Sequence, residues 1–371
     1  VKLAGTINSS NLTLNDSPSL AANTTLPKVT LAYDTVISGA GYSLKLIDSL
    51  DSAIAATPRS LTVNANKVLL EYLDPVSDGP QIGATNNLKD ITFNCDYEGK
   101  NGSNITCTGN FTVNGGAQFR GDITAYSIKV TKTMTFGGMC HSVKTVKDQD
   151  YTSGATSDPW GVTLWRNYAA NPLQLYSTDG GTITFHGNIN SYNYDSTARQ
   201  IKFGSMGSIY AGKPAKVIIN GKVGNVYKLD FIEINADIEF HNTVNANSLS
   251  LTSDITTATI YNNITTYSTY KTESYSQHYE GNVTLKGNAN LIAGANPITF
   301  SGTVDSDGTP RSLTIGNETN ASTVTFAKDV GGTNSLNNLT FYSDLTLNDT
   351  VTKVNVSSWN ISVPYCFSTI C

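Results

Sequence analysis

The sequence predicts an all-β protein in which short strands stack repetitively, as a β-solenoid or a β-arch array. Three observations indicate this fold class. Apolar residues alternate with Ser, Thr and Asn over short runs, which is the pattern of a half-buried strand. The runs are bounded by Gly, Asn or Asp, the residues of tight turns. Two stretches of the chain also align without a gap, as expected for a repeat.

The aligned stretches are residues 216–240 and 323–347, in which eight apolar positions coincide. The positions in the first stretch are Val217, Ile219, Val223, Leu229, Ile232, Ile234, Ile238 and Phe240, and their partners are Val324, Phe326, Val330, Leu336, Leu339, Phe341, Leu345 and Leu347. Part of the spacing recurs at Ile128, Val130, Met134 and Phe136. We therefore expect about three copies with a period a little over ~100 residues.

Four segments follow from this pattern. We predict N-terminal strands with a short capping helix in residues 1–80, a first degenerate repeat with a loop insertion in 81–180, a second repeat with a Tyr-rich tract in 181–280, and a third repeat with a Cys-containing tail in 281–371.

At most one short helix is expected. From Ser43 to Ala56, Leu46, Ile47, Leu50 and Ile54 recur at helical spacing; Ser43 suits an N-cap, and Pro58 would end the helix. Such a helix would cover one end of the array.

Composition and charge argue against some classes of function. Only 14% of the 371 residues are charged, and the formal net charge is -5. A chain without a basic surface is a poor partner for nucleic acid. No apolar run approaches the ~20 residues of a membrane span. The chain begins VKLAGTINSS, which predicts a mature protein whose leader has been removed.

Glycosylation is predicted from fifteen Asn residues in Asn-x-Ser/Thr sequons, against about nine expected by chance from this composition. They are Asn8, Asn11, Asn15, Asn23, Asn101, Asn104, Asn110, Asn263, Asn282, Asn317, Asn320, Asn338, Asn348, Asn355 and Asn360. This excess indicates an extracellular or cell-surface protein.

The five cysteines are disulfide candidates. Cys95 and Cys107 bracket a Gly/Asn loop, Cys140 stands alone, and Cys366 and Cys371 lie near the end of the sequence. Their spacing does not suit a zinc site. One or two structural disulfides are expected, and the odd count predicts a thiol available for a bond between chains.

Residues 297–341 resemble the β-strand repeats of filamentous-haemagglutinin-like exoproteins and autotransporter passengers. The shared elements are I-T-F-x-G-x-V, S-L-T-I, and T-V-T-F followed by V-G-G-T-N-x-L and L-T-F. The resemblance covers about 50 residues well and implies a parallel β-helix or another stacked β-arch fold, extracellular and adhesive or envelope-forming. Those families usually lack Cys. Low charge, Cys and sequons together are similar to archaeal sheath or surface-layer proteins, by analogy.

No catalytic, cofactor-binding or metal site is expected. The densest polar group, Asp148 and Asp150 with Lys144 and Lys147, is interpreted as a solvated loop. Asp305-Ser306-Asp307-Gly308 resembles the opening of a calcium loop but lacks its closing glutamate, which favours a turn. The tyrosines of residues 261–280 are candidates for a subunit interface or a glycan contact; they are Tyr261, Tyr267, Tyr270, Tyr275 and Tyr279.

Three functions remain open. The favoured hypothesis is a structural protein, not an enzyme, that binds copies of itself by strand-edge pairing and disulfide cross-links in a sheath, surface layer or filament. The alternative is a haemagglutinin-like adhesin that binds glycans or cells. The third is a β-helical polysaccharide lyase or hydrolase.

Overall fold

The computed structural model describes the chain except for residues 72–78, 138, 153–161, 166–171, 193–198, 205–215, 254–255, 269–275, 321, 343 and 362–371, and only the backbone of Trp165. The described residues contain strands and turns and no helix. All pairings between these strands are parallel. The predicted all-β fold of stacked short strands is therefore confirmed, and it is a β-solenoid.

In chain order the strands are β1 Lys2–Thr6, β2 Leu12–Leu14, β3 Ser19–Leu26, β4 Val29–Leu31, β5 Thr35–Leu46, β6 Leu50–Ser52, β7 Leu61–Leu70, β8 Ile91–Phe93, β9 Asp96–Gly99, β10 Ile105–Thr106, β11 Asn110–Val113, β12 Ala117–Phe119, β13 Ile123–Ala125, β14 Ser127–Val130, β15 Met134–Gly137, β16 Ser142–Thr145, β17 Gln149–Tyr151, β18 Val162–Trp165 and β19 Leu173–Ser177. They continue with β20 Thr182–Phe185, β21 Ile189–Ser191, β22 Gln200–Gly204, β23 Lys216–Ile219, β24 Leu229–Asn235, β25 Asp237–Phe240, β26 Val244–Leu251, β27 Thr257–Ile260, β28 Ile264–Thr266, β29 Gln277–Tyr279, β30 Asn282–Leu285, β31 Ala289–Ile292, β32 Ile298–Phe300, β33 Val304–Ser306, β34 Leu313–Ile315, β35 Val324–Phe326, β36 Leu336–Phe341, β37 Leu345–Leu347 and β38 Val356–Ile361.

The pairing register resolves three ladders, which we call faces A, B and C. Each coil of the chain passes through A, then B, then C; for example β11, β12 and β13 are followed by β14, β15 and β16 directly above them. Face A continues through β17, β20, β23, β25, β27, β30 and β33, face B through β18, β21, the first half of β26, β28, β31, β34, β36 and β38, and face C through β19, β22, β24, the second half of β26, β29, β32, β35 and β37. The long strands β3, β5 and β7 bend across faces A and B.

The true repeat is the coil, and the predicted period of over 100 residues is wrong. Val217 pairs with Ile238 and Val324 pairs with Leu345, so each aligned stretch closes one full coil. Coil length varies from the 17 residues between Phe111 and its partner at position 128 to the 34 between positions 149 and 183. The aligned stretches also begin on different faces, A for residues 216–240 and C for residues 323–347.

The predicted helix at residues 43–56 is wrong. Ser43 to Leu46 complete β5, and Leu50 begins β6 on face C. Leu46 and Leu50 are buried because they stack on residues of neighbouring coils, whereas Ile54 is 56% exposed. The apolar spacing that resembled a helix arises because the chain turns a corner between two short strands.

The core is one continuous column of inward-facing apolar side chains. Aromatic rings stack along it, from Phe93 and Tyr97 at 5.5 Å between ring centroids to Tyr279, Phe300 and Phe326 at 4.9 Å. Such pairs contribute about 0.5–1.5 kcal/mol each beyond their burial. The interior of the described coils is therefore a packed core.

Short polar side chains join successive coils at the corner before face A. The side-chain oxygen of Asp34 accepts a hydrogen bond from the backbone N–H of Ser60, 2.9 Å away. The same contact recurs from Asp90 to Asn110, Asp148 to Thr182, Asp237 to Thr257 and Asn282 to Thr303. Asn and Asp suit these corners because their side chains replace a missing backbone partner.

Candidate functional surface

Two glutamine–tyrosine pairs are buried in the core. Gln277 donates from Nε2 to the carbonyl of Ile292 at 2.9 Å and to Thr266 Oγ1 at 3.2 Å, and its Oε1 accepts from the hydroxyl of Tyr279 at 3.0 Å. Gln149 and Tyr151 repeat the arrangement, with 2.9 Å between Oε1 and the hydroxyl. Both pairs are fully buried. Their hydrogen bonds therefore satisfy polar groups within the core, and a ligand cannot reach them.

The tyrosine tract does not form one surface. Tyr279 is a core residue, so its prediction as an interface or glycan contact is wrong; its place as the second inward position of β29 buries it. Tyr261 lies outward on face A, where His241 stacks on its ring at 4.1 Å and the ammonium of Lys286 lies 5.6 Å from the ring centroid. Tyr267 is 52% exposed. Tyr270 and Tyr275 lie outside the described residues.

Three of the five cysteines are free thiols inside the solenoid. Cys95, Cys107 and Cys140 are buried and form no disulfide, so the predicted disulfides do not involve them here. Burial raises the pKa of the Cys107 thiol to about 12 and that of Cys140 well above its usual value. Thiols held protonated in this way are poor nucleophiles. Cys366 and Cys371 lie outside the described residues.

All fifteen sequon asparagines lie outside the core. Eleven are exposed, and the other four, Asn104, Asn317, Asn320 and Asn338, are half-buried. By contrast, the buried Asn188 and Asn190 are not in sequons. The fold therefore leaves the predicted glycosylation positions near solvent.

Charged side chains on the faces pair with residues of neighbouring coils. Lys202 meets Glu233 at 2.6 Å, and Lys67 meets Glu98 of the next coil, which also pairs with Lys100 of its own coil. Among the described residues, no group of three or more His, Cys, Asp or Glu side chains is arranged to hold a metal ion. These contacts join coils together along the faces.

The densest polar group of the sequence is divided between faces. Asp148 bonds the backbone of Thr182 at the corner, Asp150 lies 3.0 Å from His186 on face A, and Lys147 pairs with Asp179. Lys144 belongs to β16 on face C. None of the four histidines, His141, His186, His241 and His278, is buried.

The calcium-like stretch forms a turn with both aspartates engaged. Asp305 accepts the backbone N–H groups of Thr333 and Asn334, at 2.9 and 3.1 Å. Asp307 receives two hydrogen bonds from Arg311, and Gly308 has a φ of +99°. The carboxylate of Asp307 therefore stabilises the loop, and the carboxylate of Asp305 binds the next coil.

Three sets of residues make the same hydrogen bonds between neighbouring coils, and we call each set a bracket. In each bracket, the side-chain oxygen of an Asp or Asn accepts a hydrogen bond from the backbone N–H of a residue that lies two positions after a glycine of the next coil. The backbone N–H of the same glycine donates to the carbonyl oxygen of the residue that precedes the Asp or Asn. The next residue, a serine, accepts the backbone N–H of an arginine. The brackets are Asp51-Ser52, Arg59 and Gly83; Asn190-Ser191, Arg199 and Gly224; and Asp305-Ser306, Arg311 and Gly331.

The brackets explain the internal similarity of the sequence. The aligned stretches contain the second and third bracket glycines, Gly224 and Gly331. The structure places the equivalent of these contacts at Gly83, and not at residues 128–136, where the third copy was expected. The recurring signal is Asp/Asn-Ser, then Arg, then Gly.

An acid-dependent loss of stability is expected at Glu239. Partial burial raises the pKa of this carboxyl, but hydrogen bonds and ion pairs with Lys216 and His241 lower it more, so the pKa lies below its ordinary value. The stability gained is therefore full above the ordinary Glu pKa of about 4.3 and is lost as the pH falls through the lower pKa of the folded state.

Glu239→Gln should accordingly cost about 0.2–1 kcal/mol at pH 7, and the difference from wild type should shrink as the pH falls below about 4. Denaturant unfolding at pH 7 and pH 3 measures this. Glu318→Gln, at an exposed position, is the control. A difference that stays constant between the two pH values would contradict the interpretation.

The chain matches no family model, no curated protein and no solved structure. No helix in the described part of the chain is long and apolar enough to cross a membrane. The fold and its surface are thus the observations from which a function is inferred.

Proposed function

We propose that the chain is an extracellular structural protein, without catalytic activity, whose copies assemble into a sheath, surface layer or filament at the cell surface. The last described coil carries this proposal. Leu347, Trp359 and Ile361 occupy core-facing positions there, yet are 42, 42 and 67% exposed. Apolar surface of this kind is what a further coil would cover.

The second support for assembly comes from the strand edges of the last described coil. Within the described residues, β37 pairs only with β35, and β38 only with β36. The other edge of each strand presents N–H and C=O groups that a strand of another copy can pair with. A contact that joins unlike ends of two copies extends into a filament when its rotation does not close a ring.

Covalent cross-links are assigned to Cys366 and Cys371. The three described thiols are buried, so a bond between copies through them would require a coil to open. An oxidising, extracellular compartment favours disulfides, and the fifteen sequon asparagines near the surface support the same location.

Assembly should depend on the exposed end of the core. We expect Trp359→Glu with Ile361→Lys to prevent filaments or sheets, because charges at these positions oppose burial of the coil end. Electron microscopy and sedimentation of the full chain, with and without reductant, measure this. Tyr42→Glu is the matched control, since Tyr42 is 39% exposed on β5, on the side of the solenoid.

Monodisperse wild-type monomers with and without reductant would overturn the proposal. Assembly of the doubly substituted chain at the wild-type level would show that this coil end is not a contact between copies.

The adhesin alternative has one observation in its favour. Tyr267 is half exposed, and the ammonium of Lys228 lies 4.5 Å from its ring centroid. An aromatic side chain beside a cation can contact a glycan. Binding of immobilised glycans by the monomer, lost in Tyr267→Ala, would favour this function over assembly.

A further inference from the structure

One long part of the chain contains no sequon. Between residues 111 and 262 there are 13 asparagines, none in a sequon, whereas 15 of the 25 asparagines elsewhere are in sequons. Serine and threonine are frequent in this part as well, so the sequons are not absent for lack of hydroxyl residues. We call those residues of 111–262 that the structure describes the sequon-free band.

The band consists of consecutive coils of the solenoid. Its coils run from β12 to β27 and contribute strands to all three faces. It contains the longest coils, in which 34 residues separate Gln149 from Ile183 and Ile183 from Val217. Sequons are found in the coils on both sides of it, at Asn110 and Asn263.

The charge of the band also differs from that of the rest of the chain. Residues 111–262 have 12 Lys and Arg against 11 Asp and Glu, a net charge of +1, whereas the remaining residues have 12 against 18, a net charge of -6. The described residues of the band alone have 10 Lys and Arg against 8 Asp and Glu, a net charge of +2. Opposite charges in the band alternate between coils, as in Lys129 with Asp150 at 3.7 Å and Lys216 with Glu239 at 2.7 Å. The surface of the band is thus close to neutral on a local scale.

We infer that the sequon-free band is the lateral contact surface between neighbouring copies of this chain. The inference rests on the proposed assembly and names the part of the surface that two copies share. Two copies of an acidic chain repel each other least where their surfaces are neutral. A glycan is bulky and strongly hydrated, so a contact surface must be free of it, while the acidic, sequon-bearing coils remain in solvent.

A glycan introduced into the band should block this contact. Lys222→Thr creates a sequon at Asn220, which is half-buried at the outer edge of face A; Lys222 itself is exposed. Lys222→Ala removes the same cation without a sequon. Lys89→Thr creates a sequon at the exposed Asn87, outside the band.

In a host that glycosylates sequons, we expect the laterally associated fraction of Lys222→Thr to fall at least about tenfold, equivalent to 1.4 kcal/mol. Lys222→Ala and Lys89→Thr should assemble like wild type. Enzymatic removal of the glycan should restore Lys222→Thr. The mass of the chain reports the added glycan, and electron microscopy reports lateral association.

A charge variant tests the band without glycosylation. Lys132→Glu with Lys222→Glu makes the band acidic, and we expect weaker lateral association that recovers as salt is raised. Lys89→Glu with Lys328→Glu changes the charge equally outside the band and should have little effect. All four lysines are exposed.

Lateral association of glycosylated Lys222→Thr at the wild-type level, or equal effects of the two charge variants, would overturn the inference. Wild-type chains that do not assemble at all would instead contradict the proposed function, so the two failures are distinguishable.

Discussion

Gly224→Ala is expected to destabilise the solenoid by more than about 3 kcal/mol. Gly224 has a φ of +65°, where a residue with a Cβ is strained by about 1–3 kcal/mol. A Cβ at this position would also lie 2.1 Å from the carbonyl oxygen of Asn245 in the next coil. The clash is with backbone, so relief requires the two coils to separate and the bracket to break.

Two further glycines allow the cost of a positive φ to be measured separately from the cost of a close contact between coils. Gly294 has a φ of +59°, but a Cβ added there would have no neighbour closer than 3.7 Å, and Gly41 has neither a positive φ nor a neighbour within 4 Å. We expect Gly294→Ala to cost about 1 kcal/mol and Gly41→Ala to be nearly neutral. Urea unfolding measures the series. Equal costs for Gly224→Ala and Gly294→Ala would show that the close approach of coils is unimportant.

Gln277→Ala is expected to cost about 3–5 kcal/mol, because it leaves a cavity and deprives the Tyr279 hydroxyl and the Ile292 carbonyl of their partner. Gln118→Ala, at an outward position of β12, is the control and should change stability by less than about 0.5 kcal/mol. Thermal or urea unfolding gives both values.

A double substitution tests the pairing itself. Gln277→Met keeps the volume, and Tyr279→Phe removes the hydroxyl that Gln277 accepts from. Combined, the two should cost less than the sum of the single substitutions, since each alone leaves a buried polar group of the pair without its partner. Strict additivity would contradict a coupled pair.

Buried polar residues show where sequence patterns stop being informative. Gln149 and Gln277 stand at inward positions that alternation predicts to be apolar. Each is tolerated because a Tyr two residues later, a Thr and a carbonyl of the adjacent coil complete its hydrogen bonds. Gln-x-Tyr by itself is not a sufficient signal, because it also occurs at Gln174 and Tyr176, which face outward on β19, and nothing local reveals which strand of which coil supplies the remaining partners.

The sequence by itself determined the strand content, the polar corners and the repetitive stacking, because alternation and turn residues act within a few positions of the chain. Only the tertiary structure decided the coil as the repeat, the strand in place of the helix near Leu46, and the burial of Tyr279 and the thiols. It also placed the three brackets on different faces, C for Gly83, B for Gly224 and A for Gly331. Those outcomes depend on which coil lies above which, and loops of different length can shift a coil by one face without changing the local pattern of any strand.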